Sequence, residues 1–210
     1  VNITGAAGVT LANNGVYDLS ATTAADLTIT ATAGNIALAG ADNNDGLKAK
    51  SITLAAAAGD ITQSTASNDV LEATVGNISL TAQKIGETDA VDVKVVGAGS
   101  LSIDATSGAG VVGIESRVAL ALGTIESTAA DTVTITSTAA GAITTTTDIT
   151  TLGSLVLTND AAANVIAHNI TAKALTLSAK SNGTATLELA DLKTLTTTDG
   201  ALTIDAKEFL

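Results

Sequence analysis

A single histidine, a single arginine and one short acidic run are where this 210-residue chain offers side chains suited to chemistry. His168 stands in Val165-Ile166-Ala167-His168-Asn169. A relay through histidine needs a nucleophile on one ring nitrogen and an acid on the other. No Ser and acid pattern accompanies His168, so it reads as a polar side chain on an outer face. Arg117 has no basic companion in its neighbourhood. An enzyme that cleaves polysaccharide needs clustered acids or bases for proton transfer, and usually aromatic platforms for the sugar rings. With one Tyr, one Phe and no Trp, the chain supplies few platforms. No catalytic, cofactor-binding or metal residues are assigned, no cofactor is expected, and the chain reads as a non-enzyme.

Three weaker patterns remain. Asp42-Asn43-Asn44-Asp45-Gly46 has the composition of a calcium loop but not its alternating ligand spacing, and a surface turn accounts for it equally well. Acceptor triplets for N-glycosylation begin at Asn2, Asn77, Asn169 and Asn182. In three of them the Asn precedes an apolar residue, which fits a corner followed by a strand whose outward residue is Ser or Thr. The run Thr144-Thr145-Thr146-Thr147 could suggest an ice-matching array, but consecutive strand residues point to opposite faces.

Such side chains need elements to position them, and those elements repeat. In Asp26 to Ala39, two alternating runs, Leu27-Thr28-Ile29-Thr30 and Ile36-Ala37-Leu38-Ala39, flank the turn-prone segment Ala31 to Asn35. A two-residue period puts Leu27, Ile29, Ile36 and Leu38 on an inner face and Thr28 and Thr30 on an outer one. The anchor returns at Ile52-Thr53-Leu54, Ile78-Ser79-Leu80, Leu101-Ser102-Ile103, Val133-Thr134-Ile135, Leu155-Val156-Leu157, Leu175-Thr176-Leu177 and Leu202-Thr203-Ile204. Spacings of roughly 20 to 32 residues are those of a solenoid coil.

Corners such as Gly34-Asn35-Ile36, Gly59-Asp60-Ile61 and Gly141-Ala142-Ile143 follow the anchors. Gly, Asn and Asp suit corners that reach positive φ or satisfy their own backbone. Lead-in runs precede the anchors, as in Val91-Asp92-Val93-Lys94, Asn169-Ile170-Thr171 and Leu192-Lys193-Thr194. The pattern predicts an all-β parallel β-helix over residues 1–210, with three short strands per coil and about eight to ten coils. At about 4.8 Å per coil the rod would be roughly 40 to 50 Å long. Insertions are expected at Asp42 to Gly46 and Gly113 to Ala130, and the one segment with helical character is Arg117 to Leu122.

Composition agrees with narrow, regular layers. The 46% of hydrophobic residues are nearly all Ala, Val, Leu and Ile, and proline, which would remove ladder hydrogen bonds, is absent. Without cysteine neither disulfides nor thiolate metal sites are available. A net charge of −12 repels phosphate backbones and anionic lipid, which argues against nucleic-acid binding. The longest apolar candidate, Gly110 to Ile125, contains Glu115 and Arg117 and is too short to insert in a bilayer.

The phrases LTITATAGNIALAG, SITLAAAAGDITQS and NITAKALTLSAKSNG are similar to the coils of filamentous haemagglutinin and related large exoproteins of two-partner secretion. The resemblance covers essentially the whole chain. It implies a right-handed parallel β-helix, secreted or displayed on the outer surface of a Gram-negative bacterium, with cell adhesion as its role. It also implies a stalk segment, since the family's secretion domain carries Asn-Pro-Asn motifs and this chain has no proline. The pattern runs through both termini, which predicts a fragment of a longer chain whose open sheet edges meet flanking coils or other copies. Alternative readings are a β-helix that binds glycans or receptors through its loops, on a host or neighbouring cell, and a polysaccharide-degrading β-helix.

Overall fold

The computed structural model describes the chain except residues 12–15, 19–24, 40–45, 65–69, 107–109, 129–130, 139–140, 161–163, 167, 180–185 and 210. Among the described residues there are twenty-five strands and no helix. Every pairing between them is parallel, and neighbours in a sheet come from successive passes of the chain, which makes the fold an all-β parallel β-solenoid.

The longest sheet stacks ten strands. Its first part is Asn2–Gly5, Leu27–Ala31, Ile52–Ala56, Ile78–Ala82 and Leu101–Ala105. It continues through Leu120–Glu126, Ile143–Thr145, Asn164–Ile166, Thr186–Leu189 and Glu208–Phe209. Register puts like on like: Leu27, Ile52, Ile78, Leu101 and Leu122 form one inward column, and Ile29, Leu54, Leu80, Ile103 and Ile125 another. All ten are buried. A single coil could not bury its inner face, and the stack removes it from water at about 25 cal/mol per Å² of apolar surface.

A second sheet of nine strands lines another side. Its later strands are Val91–Val95, Val111–Ser116, Thr132–Ser137, Ser154–Asn159, Leu175–Ala179 and Leu202–Asp205. The anchor phrase changes sheets along the chain. Its first four occurrences, from Leu27 to Ile103, stack in the ten-stranded sheet, whereas Val133-Thr134-Ile135 and the three after it stack in the nine-stranded one. The 32-residue interval between Leu101 and Val133 is where the phrase slips by one side of the coil.

The third side explains the slip. One three-stranded sheet, Val9–Leu11, Ile36–Leu38 and Ile61–Gln63, serves the first half, and another, Ile149–Thr150, Ile170–Ala172 and Leu195–Thr197, serves the second. Between them, among the described residues, no third strand lies between Leu101–Ala105 and Val111–Ser116 or between Leu120–Glu126 and Thr132–Ser137. Among the described residues, three strands are therefore not seen in every coil. Instead Val111–Ser116 and Leu120–Glu126 lengthen to six and seven residues. Ile85, in an isolated bridge to both Ile61 and Val112, hands the first short sheet over to the longer strand.

Two expectations fail here. Arg117 to Leu122 is not helical: residues 117–118 bend and Leu120 opens a strand. Gly113 to Ala130 is not an inserted loop, because most of its described residues belong to two core strands. Gly113 and Gly123 gave the segment a loop-like composition, yet both are packed against neighbouring coils. Leu101 pairs with Leu122 and Ile103 with Ile125, so the strand carries a bulge at Gly123, where a Cβ would stand 2.6 Å from Ser102 Oγ.

Candidate functional site

The corners hold the most regular polar chemistry. Asn35 Oδ1 accepts the N–H of Asp60 at 2.9 Å, and Asn77 Oδ1 accepts that of Ser100 at 2.9 Å. Asp148 Oδ1 accepts the Asn169 N–H, and Asn169 Oδ1 the Thr194 N–H, both at 3.0 Å. Each acceptor stands one residue before a strand and reaches the equivalent residue one coil later. The same corners accept a strand N–H from the preceding coil, as Ile52 donates to Asn77 O at 3.0 Å. Polar corner residues thus clip coil to coil where no strand ladder exists.

This accounts for two of the four Asn triplets, since Asn77 and Asn169 are corner residues. Asn2 lies within the first strand, and Asn182 is outside the described residues. The acidic run Asp42 to Asp45 is also outside them, with Gly46 opening a strand.

His168 Nδ1 lies 3.6 Å from Asp148 Oδ1, and its backbone N–H donates to Thr145 Oγ1 at 3.0 Å. Asp148 is held below the usual carboxylate range, chiefly by the hydrogen bond from the Asn169 backbone and then by the Asn169 carboxamide. Sequence reading placed His168 without an acid; the acid comes from the preceding coil, 20 residues earlier in the chain. The pair forms part of a corner column rather than a cleft. In the Thr144 to Thr147 run, Thr145 is buried, and Thr146 Oγ1 donates to Leu122 O at 2.8 Å. The outward hydroxyls of the long sheet do line up at Thr28, Thr53, Ser79 and Ser102, but the adjacent column is broken by Ala55 and ends at Asp104.

Two buried carboxylates escaped the sequence reading. Asp131, 1% exposed, accepts the Gly110 N–H and the Thr128 N–H, each at 2.7 Å, and closes the side that lacks a third strand. The Thr128-x-x-Asp131 spacing was the available signal, since an acid three residues after a Thr can reach back to its backbone N–H, as in a capping box. Asp92 is buried between Gln63 and Arg117: Gln63 Nε2 donates to its Oδ2 at 3.3 Å, and Arg117 Nη2 lies 3.6 Å from the same oxygen. Nothing in Val-Asp-Val-Lys marks that aspartate as covered. On the same sheet Glu72 sits between Lys48 at 3.6 Å and Lys94 at 2.9 Å, an alternating column on the outer surface.

Two recesses among the described residues are lined by small side chains and carry no charged group. One of about 150 Å³ is lined by Val95, Gly97, Gly99, Ala119, Leu120, Ala121, Ala142 and Thr144. An open one near the first coil is lined by residues from Ala7 to Thr10 together with Gly34, Asn35 and Ala37. Among the described residues no group of three His, Cys, Asp or Glu could hold a metal ion, and no helix is long and apolar enough to cross a membrane. No family model, curated protein or solved structure matches the chain.

Proposed function

We propose that the chain is a structural and adhesive stalk segment of a bacterial exoprotein, secreted or displayed on the outer surface of a Gram-negative cell. The observation that carries this reading is the ten-stranded parallel stack with like residues in register, a geometry that builds length and stiffness rather than a pocket. Its finer form in this reading is a right-handed coil with three short strands per turn. The partners are other copies or flanking coils, and a receptor or glycan on a host or neighbouring cell.

The test of place is protease added to intact cells that make the full-length protein: cleavage before lysis is expected, and protection until lysis overturns the surface reading. The test of role is removal of one coil. Leu27 and Ile52 are register partners 25 residues apart, so deleting residues 27–51 joins Asp26 to Ile52 and preserves the ladder. A folded, shorter protein that still supports attachment is expected of a stalk. Loss of attachment from a folded variant would assign binding to that coil instead.

A further inference from the structure

Asp92 occupies an unusual position for a carboxylate. Strand parity sets it outward on Val91–Val95, between the inward Val91 and Val93, yet it is 4% exposed. Its partners join three passes of the chain. Gln63, at the end of Ile61–Gln63, donates to Oδ2 at 3.3 Å and accepts the Asp92 N–H at 3.1 Å, and Arg117, just after Val111–Ser116, approaches to 3.6 Å.

Charge around it is unbalanced. Glu115 is its register neighbour on Val111–Ser116, and Asp89 stands in the turn ahead of its own strand. On the other side its neighbour on Val70–Ala73 is Val70, while Glu72 of that strand engages Lys94 and Lys48 instead. The Arg117 guanidinium is half exposed and shared, with Nε 3.7 Å from Glu115 Oε1. Among the described residues, then, two carboxylates share one guanidinium, Asp89 adds a further negative charge near Asp92, and the carboxylate of the three that is buried is Asp92.

We propose that Asp92 is a proton-binding switch in the middle of the solenoid: a proton on its carboxyl stabilises the packing of the coils that meet at Gln63, Asp92 and Arg117, and release of that proton as pH rises weakens it. A buried carboxylate away from water is costly unless it is fully paired, and protonation removes that cost. Burial pushes Asp92 above the ordinary carboxylate range; Arg117 opposes this and Glu115 adds to it. A carboxyl that holds its proton more tightly when folded contributes stability that is complete below its unfolded pKa, near 3.9, and is lost as pH rises through the folded value. The switch stands on the Asp92 environment alone and is independent of the adhesive reading.

Carboxyl carbon resonances of the intact chain followed by NMR against pH read the site directly. Asp92 is expected to titrate above 3.9, with the midpoint moving up in Arg117→Gln and down in Glu115→Gln. In parallel, denaturant midpoints of Asp92→Asn and the unaltered chain are compared from acid to neutral pH. Their difference is expected to grow in favour of Asp92→Asn as pH rises, and because both proteins share every other carboxylate, the general relief of repulsion in acid cancels. An Asp92 midpoint at or below 3.9, or one that ignores both neighbouring substitutions, overturns the proposal. So does a stability difference that stays constant with pH. Should Asp92→Asn fail to fold, the two neighbouring substitutions decide the matter.

Discussion

Asn77 Oδ1 and the backbone N–H of Ser100 meet at 2.9 Å across one full coil, at a corner where the strand ladder is interrupted. A neutral hydrogen bond of this kind contributes about 1 kcal/mol net, within a range of about 0.5 to 1.5. Asn77→Leu is therefore expected to lose about that much in denaturant unfolding, and Asn77→Asp, which keeps the acceptor, to lose little. Asn169 differs, because its Nδ2 donates to Asp148 Oδ2 at 3.2 Å. Asn169→Asp would turn that donor into a second carboxylate facing the first and is expected to be clearly more destabilising than Asn77→Asp. Equal losses would mean that the corner columns do not clip the coils together.

The corner glycines make a different prediction from the one their composition suggests. Gly34 and Gly59 are not among the residues with positive φ. What they provide is closeness: a Cβ on Gly34 would lie 1.8 Å from Ala7 O, and one on Gly59 2.4 Å from Gly34 O. Backbone cannot rotate away as a side chain can, so Gly59→Ala is expected to destabilise by several kcal/mol, at the upper end of what strain and overpacking produce. Gly123→Ala would meet the movable hydroxyls of Ser102 and Ser100 and is expected to be milder. Thermal unfolding of the two variants side by side checks the order, and a Gly59→Ala variant as stable as the parent would contradict the tight stacking of coils.

The repeat was readable because a two-residue alternation of Leu, Ile and Val with Thr or Ser can bury only one face, and because Gly-Asn-Ile and Gly-Asp-Ile mark the corners. What the alternation could not reveal is which sheet a given run joins. Leu101-Ser102-Ile103 and Val133-Thr134-Ile135 are the same phrase on different sides of the coil, and nothing local distinguishes them. The lead-in Leu192-Lys193-Thr194 misled for a related reason: the strand begins three residues later, at Leu195, and Leu192 lies in a turn. Of the polar residues, the corner role of Asn77 and Asn169 was legible from their place before an apolar run. Asp92 was not, because burial of an outward residue depends on Gln63 and Arg117, which lie 29 and 25 residues away in the chain.

Inside the second sheet, Ser116, Ser137 and Asn159 follow one another in register on the inner face. Ser116 Oγ donates to Val118 O at 3.0 Å, and Asn159 Nδ2 to Gly141 O at 2.9 Å. Ser137 Oγ, fully buried between them, has no hydrogen-bond partner among the described residues. An unpaired buried hydroxyl carries a desolvation penalty of about 1 to 3 kcal/mol. Ser137→Ala is expected to raise the denaturant midpoint, and Ser116→Ala, which removes a made bond, to lower it. A Ser137→Ala variant that loses stability would show that its hydroxyl is satisfied, by a buried water for example.

Leu192 combines two properties that rarely suit leucine. It adopts φ 62°, in the left-handed region, and its side chain is 99% exposed, at a turn where Lys193 N donates to Ala190 O at 3.2 Å. For a residue with a Cβ that conformation costs roughly 1 to 2 kcal/mol, and Asn tolerates it better because its short polar side chain can hydrogen-bond locally. Full exposure leaves no packing to lose in exchange. Leu192→Asn is accordingly expected to raise stability by about 1 kcal/mol, and Leu192→Val, branched at the carbon that crowds the backbone, to lower it. Because ΔG and Tm move together in small steps, a rise of a few degrees in the thermal midpoint is the expected reading. If Leu192→Asn were instead less stable than the parent, the leucine side chain would have to gain something that offsets its backbone, and an apolar contact made by that turn in solution would become the thing to find.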